Sequence, residues 1–358
     1  MEIVQYKCPN CGGPLKFDPK SGMHTCEYCR SSFTQKDVSE KTNIGKQAGG
    51  SAGPASVTSD TTDVSTEDAK VYTCPSCGAT IVTDSTTAAT FCYYCHNPVV
   101  LSGRLSGELK PDYVVPFRIS REKALQIFES WIGRKKYVPK AFYSKDQIEK
   151  FTGIYFPYLL YTCDVSCHID TEGTKVRVYS EGMFDCTERT RYHIVRDGSM
   201  DVQHIFRNAL KKANATLADG VLPFSFSPDD MKPFNMSYLS GFFAEKRDID
   251  CSSLQDEMKN EIRDYAISRL QTEVSGYEGV KIDAGSISIS NEKWEYALCP
   301  VWSLTYNDKG KIYYFSVNGQ SGKTVGELPV DTGKLIRTFL LIFIPVFLAL
   351  LALFYFIF

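Results

Sequence analysis

Cys8, Cys11, Cys26 and Cys29 are followed by Cys74, Cys77, Cys92 and Cys95, and both sets read C-x2-C-x14-C-x2-C. A Cys-x-x-Cys turn aims two thiolates at one point, and two such turns supply the four sulfurs that tetrahedral Zn²⁺ takes. The gap is one short of the usual ribbon range of about 15–20 residues, within loop variation. The knuckles Cys8-Pro9-Asn10-Cys11-Gly12 and Cys74-Pro75-Ser76-Cys77-Gly78 support the reading. Proline fixes φ in the turn, and glycine takes the conformation that lets amide N–H groups approach sulfur. All four ligand positions are filled in each set, so no coordination position stays open. The spacing therefore predicts two structural Zn²⁺ ions, holding ribbons too small to have cores of their own. Cys92-Tyr93-Tyr94-Cys95-His96 also matches the C-x-x-C-H pattern of haem attachment. Haem there would leave Cys74 and Cys77 without a role and would require an oxidising compartment. His96 reads better as a knuckle residue in the slot where ribbons often carry glycine.

Other residues invite chemistry less strongly. Five of the 13 cysteines remain: Cys163, Cys167, Cys186, Cys251 and Cys299. Cys163, Cys167, His168 and Cys186 suggest a third metal site, but their surroundings read as strands with no knuckle Gly or Pro, which favours buried thiols. Ser321-Gly322-Lys323-Thr324 resembles the end of a phosphate loop, yet Val317 stands where the first glycine must be and no helix pattern follows, so a hairpin loop is expected. There is no H-E-x-x-H and no G-x-S-x-G, and His24, His168, His193 and His204 are scattered without recognisable partners. Nothing in the residues argues for an enzyme.

The elements that must position these groups can be read along the chain. Residues 1–34 form the first expected ribbon. Residues 35–70 are rich in Ser, Thr, Gly and Ala with no aromatic residue, a composition that predicts a disordered tether spanning about 30–36 Å. Residues 71–103 form the second ribbon, and 104–330 an α+β core. Within the core, Ser120 caps an expected helix whose Ala124, Leu125, Phe128, Trp131 and Ile132 share one face. A second helix is expected from near Ser199, with Val202, Ile205, Phe206, Ala209 and Leu210. A third starts near Ser252, with Leu254, Met258, Ile262, Ala266 and Leu270 in one stripe. Strand-like runs lie at Ile154–Tyr161, Lys175–Tyr179, Arg191–Val195, Ser286–Ser290 and Ile312–Val317, the last ending in the hairpin signal Asn318-Gly319. Gly153–Tyr161 resembles Tyr296–Leu304, which suggests two helix-plus-hairpin units in one domain.

Residues 335–358 read as a transmembrane helix. From Phe339 to Phe358 there is no charge, and the Tyr355 hydroxyl is the sole polar side-chain group. A helix of that length spans about 30 Å, the hydrocarbon thickness of a bilayer, and Pro345 is tolerated there. The opening MEIVQYKCPNC has no apolar run of the signal-peptide kind. Lys323, Lys334 and Arg337 precede the span, and the positive-inside bias then keeps the N-terminal part in the cytoplasm. Reduced metal-binding thiolates call for the same side.

Net charge is −2, so the chain as a whole lacks a polyanion-binding signature. Val71 to Gly103 contains no Lys or Arg, and the first ribbon has four basic against three acidic residues. Neutralising phosphates supplies most non-specific nucleic-acid affinity, so the charge argues against a nucleic-acid partner. The aromatic residues Tyr28, Phe33, Phe91, Tyr93 and Tyr94 suit packing around metal or a protein interface. The one basic cluster is Arg134-Lys135-Lys136 with Lys140 and Lys145.

Five segments carry a family resemblance: YKCPNCGGPLKFD, TAATFCYYCHNPVVLSGRLSGELKPDYVVPF, GIYFPYLLY, YALCPVWSL and NGQSGKTVGELPVDTGK. They resemble a family of bacterial membrane-anchored proteins with TFIIB-type zinc ribbons. Such proteins are often labelled as a primosomal replication helicase, which needs a phosphate loop that this chain does not have. Some relatives are linked to PspA-type membrane-stress proteins, so the resemblance implies a scaffold or anchor. His96 departs from the family's usual C-x-x-C-G. The expectation is a membrane-anchored, cytoplasm-facing adaptor with two structural Zn²⁺ ions that recruits a protein partner, with no small-molecule substrate evident. A membrane-tethered nucleic-acid-binding protein is the alternative.

Overall fold

Short strands around the cysteines come first. In a computed structural model, residues 3–41, 70–92, 95–227, 229–283, 286–308 and 311–357 are described. After β1 (Ile3–Val4), the first ribbon is an antiparallel sheet of β2 (Leu15–Asp18), β3 (Met23–Cys26) and β4 (Ser32–Phe33), followed by helix α1 (Gln35–Lys41). Leu15 and Phe17 point inward from β2, and His24 and Cys26 from β3, the period of a sheet with one covered face. The helix takes the first residues of the expected tether; the rest of it, 42–69, lies outside the described residues. The second ribbon pairs β5 (Lys70–Thr73) with β6 (Thr80–Thr83), and β7 (Thr87–Phe91) with β8 (Pro98–Leu101). Tyr72, Cys74, Ile81, Cys92, Val99 and Leu101 form its core.

The chain divides into two compact units, Met1–Pro157 with Lys212–Lys246 and Ala297–Phe358, and Tyr158–Lys211 with Arg247–Tyr296. One core domain over 104–330, with both ribbons outside it, is what the sequence predicts. In the structure the ribbons belong to the first unit, and part of the expected core forms the second around apolar residues of its own.

In the first unit, β7 pairs with β13 (Phe243–Glu245), and β13 runs parallel to the start of β10 (Thr152–Glu181) through Ile154↔Phe243. Strand β9 (Tyr113–Val114) pairs with β12 (Lys232–Pro233) and with Ala297–Leu298 of β14 (Ile287–Asp308). The end of β14 pairs with β15 (Lys311–Asn318), and β15 with β16 (Thr324–Gly326). Helix α2 (Arg121–Gly133) begins as expected at Ser120, whose hydroxyl accepts the Lys123 N–H, and buries Ala124, Phe128 and Ile132. Rings fill the centre: Phe117 stacks on Phe242 at 4.2 Å, and Phe151 on Trp302 at 5.8 Å. Gly153 and Gly319 permit this packing, because a Cβ at either would lie 2.6 Å from a ring carbon of Phe242 or Phe117. Helices α3 (Lys145–Glu149) and α4 (Ala215–Gly220) are short, and helix α6 (Thr332–Ile357) ends the chain.

The second unit is a long antiparallel hairpin with a helix. Strand β10 pairs with β11 (Phe184–Asn208) from Tyr158↔Asn208 to Glu181↔Phe184. Helix α5 (Cys251–Glu273) packs Met258, Ile262 and Ala266 against Tyr161, Cys163, Val165 and Ile287. Residues 199–208 are strand, which corrects the expected second helix. Cys163 pairs with Val202 and Tyr161 with Ile205, so two residues of β11 face one of β10, and His204 takes φ 53°. Such a bulge shifts the alternation by one residue. Val202 and Ile205 therefore both pack on the core of this unit, at a spacing that imitates a helix.

Candidate metal centres and membrane helix

All four knuckles are built alike. The Cys8, Cys26, Cys74 and Cys92 carbonyls accept the N–H groups of Gly12, Arg30, Gly78 and His96 at 2.8–2.9 Å. The same cysteines donate their own N–H to the carbonyls of Gly13, Ser31, Ala79 and Asn97. The fifth residue of each turn has positive φ: Gly12 75°, Arg30 59°, Gly78 74° and His96 55°. Left-handed backbone costs an L-residue about 1–2 kcal/mol, and two of the four turns carry it without glycine. His96 sits in the glycine slot, as the sequence reading has it.

These turns bring the predicted ligands together in two groups of four. In each group the Sγ atoms lie within 4.8 Å of one another. The closest pairs are Cys8–Cys29 at 3.5 Å and Cys11–Cys26 at 3.4 Å, then Cys74–Cys95 and Cys77–Cys92, both at 3.7 Å. A tetrahedral ion with metal–sulfur bonds of about 2.3 Å holds its sulfurs about 3.8 Å apart. The spacing thus fits a four-sulfur ion, and thiolate is the donor of soft and borderline metals, not of Ca²⁺ or Mg²⁺. The electrostatics agree. A Gly13 backbone hydrogen bond favours the Cys11 thiolate, yet the neighbouring Cys26 and Cys29 thiols help push its pKa up to about 12. Burial, joined by the Cys77 and Cys74 thiols, pushes Cys95 up to about 12 as well. A hydrogen bond with the Ser31 hydroxyl holds Cys29 down to about 6. Clustered sulfurs resist joint ionisation, and a dication at their centre removes that resistance. The two groups can hold metal ions.

The first ribbon is docked against residues 235–240. The Phe17 N–H donates to the Ser240 carbonyl (3.0 Å), and the Ser240 hydroxyl to the Leu15 carbonyl (2.5 Å). His24 is fully buried, and its Nε2 meets the Ser237 carbonyl at 3.0 Å. Burial lowers its pKa against that hydrogen bond. Phe17 packs edge-on to Tyr238, with ring centres 5.2 Å apart. The ribbons are also joined, because β1, which precedes the first, pairs with β8 of the second (Ile3↔Leu101), and Ser76 donates to Gln5 at 2.7 Å. A first ribbon sampling space on its tether is not what these contacts describe.

The second ribbon is tied down through the turn at 84–87. Arg104, buried under Tyr72, donates to the Asp84 and Thr87 carbonyls. Lys212 pairs with Asp84 at 2.6 Å and Glu245 at 2.9 Å. Burial works against the Asp84 carboxylate, but Lys212 and Thr87 outweigh it and hold its pKa well below the usual carboxylate range. Phe91 packs edge-on against Phe243; Tyr93 and Tyr94 lie outside the described residues.

Among the described residues, Cys163, Cys167, His168 and Cys186 do not gather as a metal group. Cys163 faces the core beside Tyr161, while Cys167 and Cys186 stand opposite Gly198 and Tyr179 on the hairpin. The histidines do have partners. His168 Nδ1 lies 2.6 Å from Asp197, directly across the hairpin, and His193 Nε2 lies 2.5 Å from Asp170. His168 and Asp197 line an open depression of about 1040 Å³. Both pairs are exposed, and such pairs contribute little to stability. Ser321, Gly322 and Lys323 lie in the β15–β16 turn and Thr324 opens β16: the Gly322 N–H donates to the Asn318 carbonyl, and the Asn318 side chain accepts the Gln320 and Ser321 N–H groups.

Helix α6 holds the span Thr332–Tyr355, 24 residues long and apolar enough to cross a membrane, with none of it buried. A core helix of a soluble protein passes the same length test buried. Here Phe339, Phe343 and Phe347 stack along one exposed face, more apolar surface than a soluble monomer ordinarily leaves in water.

Fold and site together define a mixed α+β protein with two four-cysteine groups and one membrane-length helix. Over 337 residues the chain is 33% identical to the uncharacterized protein YdjG of Bacillus subtilis (strain 168), across 94% of this chain and 93% of that one. The chain belongs to the same family as YdjG. No family model and no solved structure matches it.

Proposed function

We propose that the protein is a membrane-anchored adaptor whose two zinc ribbons present a protein-binding surface in the cytoplasm. The carrying observation is a surface of the second ribbon. Val71 and Val82 are direct cross-strand partners on β5 and β6 and are 67% and 51% exposed. They sit on a module that has no Lys or Arg from Val71 to Gly103. Apolar area without cations suits a protein partner and lacks the means to release counterions from nucleic acid. Cytosolic zinc thiolates and the positive-inside bias support the cytoplasmic orientation, and closed four-sulfur groups support structural Zn²⁺. The resemblance to TFIIB-type zinc-ribbon membrane proteins, some of them linked to membrane-stress proteins, supports a scaffold role.

The test combines proximity labelling of the full chain in cells with a nucleic-acid titration of the purified protein. The Val71→Ser/Val82→Ser variant is expected to keep two zinc ions and its membrane insertion while losing labelled neighbours. Binding to mixed-sequence DNA or RNA should remain at the weak non-specific level. Micromolar binding at physiological salt with a steep salt slope would replace the adaptor reading with nucleic-acid binding.

A further inference from the structure

The foot of helix α6 is held by a distant segment. The Asp331 N–H donates to the Tyr137 carbonyl, and Lys334 Nζ donates to the Val138 carbonyl, both at 2.7 Å. Residues 134–140 are thereby fixed beside the first turn of the span. That segment is Arg134-Lys135-Lys136-Tyr137-Val138-Pro139-Lys140, four cations with no acid. All four side chains are exposed, and among the described residues none makes an ion pair. Lys135 Nζ leans over the Trp131 ring at 5.6 Å. Arg337, one turn into the helix, is exposed too.

The two lysines that precede Arg337 in this region are engaged differently. Lys334 is turned back onto the Val138 carbonyl and lies 3.6 Å from Asp331, and Lys323 donates to the Leu222 carbonyl. Apart from Arg337, the free positive charge at the helix foot therefore comes from residues almost two hundred positions earlier. At 1.5 Å per residue, about 10 Å of helix separates Thr332 from Phe339, where the uncharged stretch begins. Half the difference between the full bilayer and its hydrocarbon core gives one leaflet's polar layer a depth of about 5–7.5 Å, so the helix foot reaches through that layer to its outer edge.

We propose that Arg134, Lys135, Lys136 and Lys140, with Arg337, form a collar that binds the phosphates of anionic lipid headgroups around the span. Four unpaired cations on a fixed loop match a diester phosphate layer, each contributing through proximity to a negatively charged leaflet. Trp131 beneath Lys135 adds an aromatic of the kind enriched at membrane interfaces. The collar rests on α6 spanning the membrane and is independent of which protein the ribbons bind.

The test uses the full chain in phosphatidylcholine bilayers carrying spin-labelled phosphatidylglycerol or spin-labelled phosphatidylcholine. Carbonate extraction reads insertion separately. The wild-type chain should select phosphatidylglycerol about fivefold or more at low salt, with the preference falling as salt rises. Lys135→Gln/Lys136→Gln/Lys140→Gln should remain inserted, keep both metal ions and lose the preference, whereas the same three positions changed to Arg should retain it. Equal selection by the wild type and the Gln variant overturns the collar while leaving the span intact. A chain stripped by carbonate overturns both. Abolition of the preference by millimolar inorganic phosphate would mark a free-anion site and overturn the lipid assignment, as would tighter binding of RNA or DNA by the same residues.

Discussion

Replacing Ser240 with Ala should loosen the first ribbon without touching a metal ligand. The Ser240 hydroxyl donates to the Leu15 carbonyl, and Leu15 is fully buried. Removing the donor leaves a buried acceptor without that partner, at a cost of about 1–3 kcal/mol. The Phe17 N–H to Ser240 carbonyl bond is a backbone contact that the substitution preserves in kind, so the loss is confined to the hydroxyl. If the ribbon opens from residues 235–240 as a unit, that cost increases the open population about 5- to 150-fold. Amide hydrogen exchange of the full chain in micelles reads this directly at Phe17. Its exchange should quicken by that factor in Ser240→Ala, while amides of α5 in the second unit stay unchanged. Metal content should stay at the wild-type level. A Phe17 amide that is unprotected in the wild type, or equally protected in both proteins, would refute docking and restore a freely moving ribbon.

Four further outcomes follow from the geometry. Gly78→Ala, at φ 74° with open space around its Cβ, should weaken metal retention against a chelator by about 1 kcal/mol of backbone energy, and His96→Gly should strengthen it by a similar or smaller amount. Cys77→Ser should leave one metal per chain by elemental analysis and raise exchange at Ile3 and Val4, because β1 is a strand of the second ribbon's sheet, while Phe17 keeps its protection. Met258→Ala, at a fully buried site of the second unit, should destabilise that unit by about 2–5 kcal/mol in denaturant with both metals retained. The depressed pKa of Asp84 means its pairing contributes stability above the unfolded-state value near about 4 and loses it as pH falls through the folded value. Asp84→Asn should therefore lower stability at neutral pH and flatten the acid limb of the stability curve below about pH 4; parallel curves would contradict the Lys212 pairing.

Local chemistry was readable from the chain, and cross-chain placement was not. The eight cysteines declare themselves because each Cys-x-x-Cys turn is a five-residue object, and the structure closes all four turns with the same two hydrogen bonds. Ser120 and the Met258–Ile262–Ala266 stripe were legible for the same reason: a cap and a helical face are written within one or two turns. The span of α6 depends on composition alone. Residues 199–208 show the opposite case. A bulge at His204 put Val202 and Ile205 on one face, and a window that counts spacing cannot tell that from a helix. The partners of His168 and His193 were hidden because only the hairpin register brings Asp197 and Asp170 to them.

The docking of the first ribbon was illegible for a different reason. Its anchors, the Ser237 and Ser240 carbonyls and the Ser240 hydroxyl, are groups that nearly every residue or many serines possess, so no pattern of types marks them. The buried face of β2 and β3 was the available signal. Leu15 packs with the ribbon's own Cys8, Cys26 and Val38, but the buried rings of Phe17 and His24 pack against Tyr238. The same reasoning explains β1. Ile3 and Val4 lie ahead of the first cysteine pair, where a self-contained ribbon has no use for them, and they complete the sheet of the second. With β1 paired to β8 and the first ribbon docked on residues 235–240 of the same unit, the two four-cysteine groups are tied to one body, so a partner bound at Val71 and Val82 would be held by the whole first unit and not by a tethered finger.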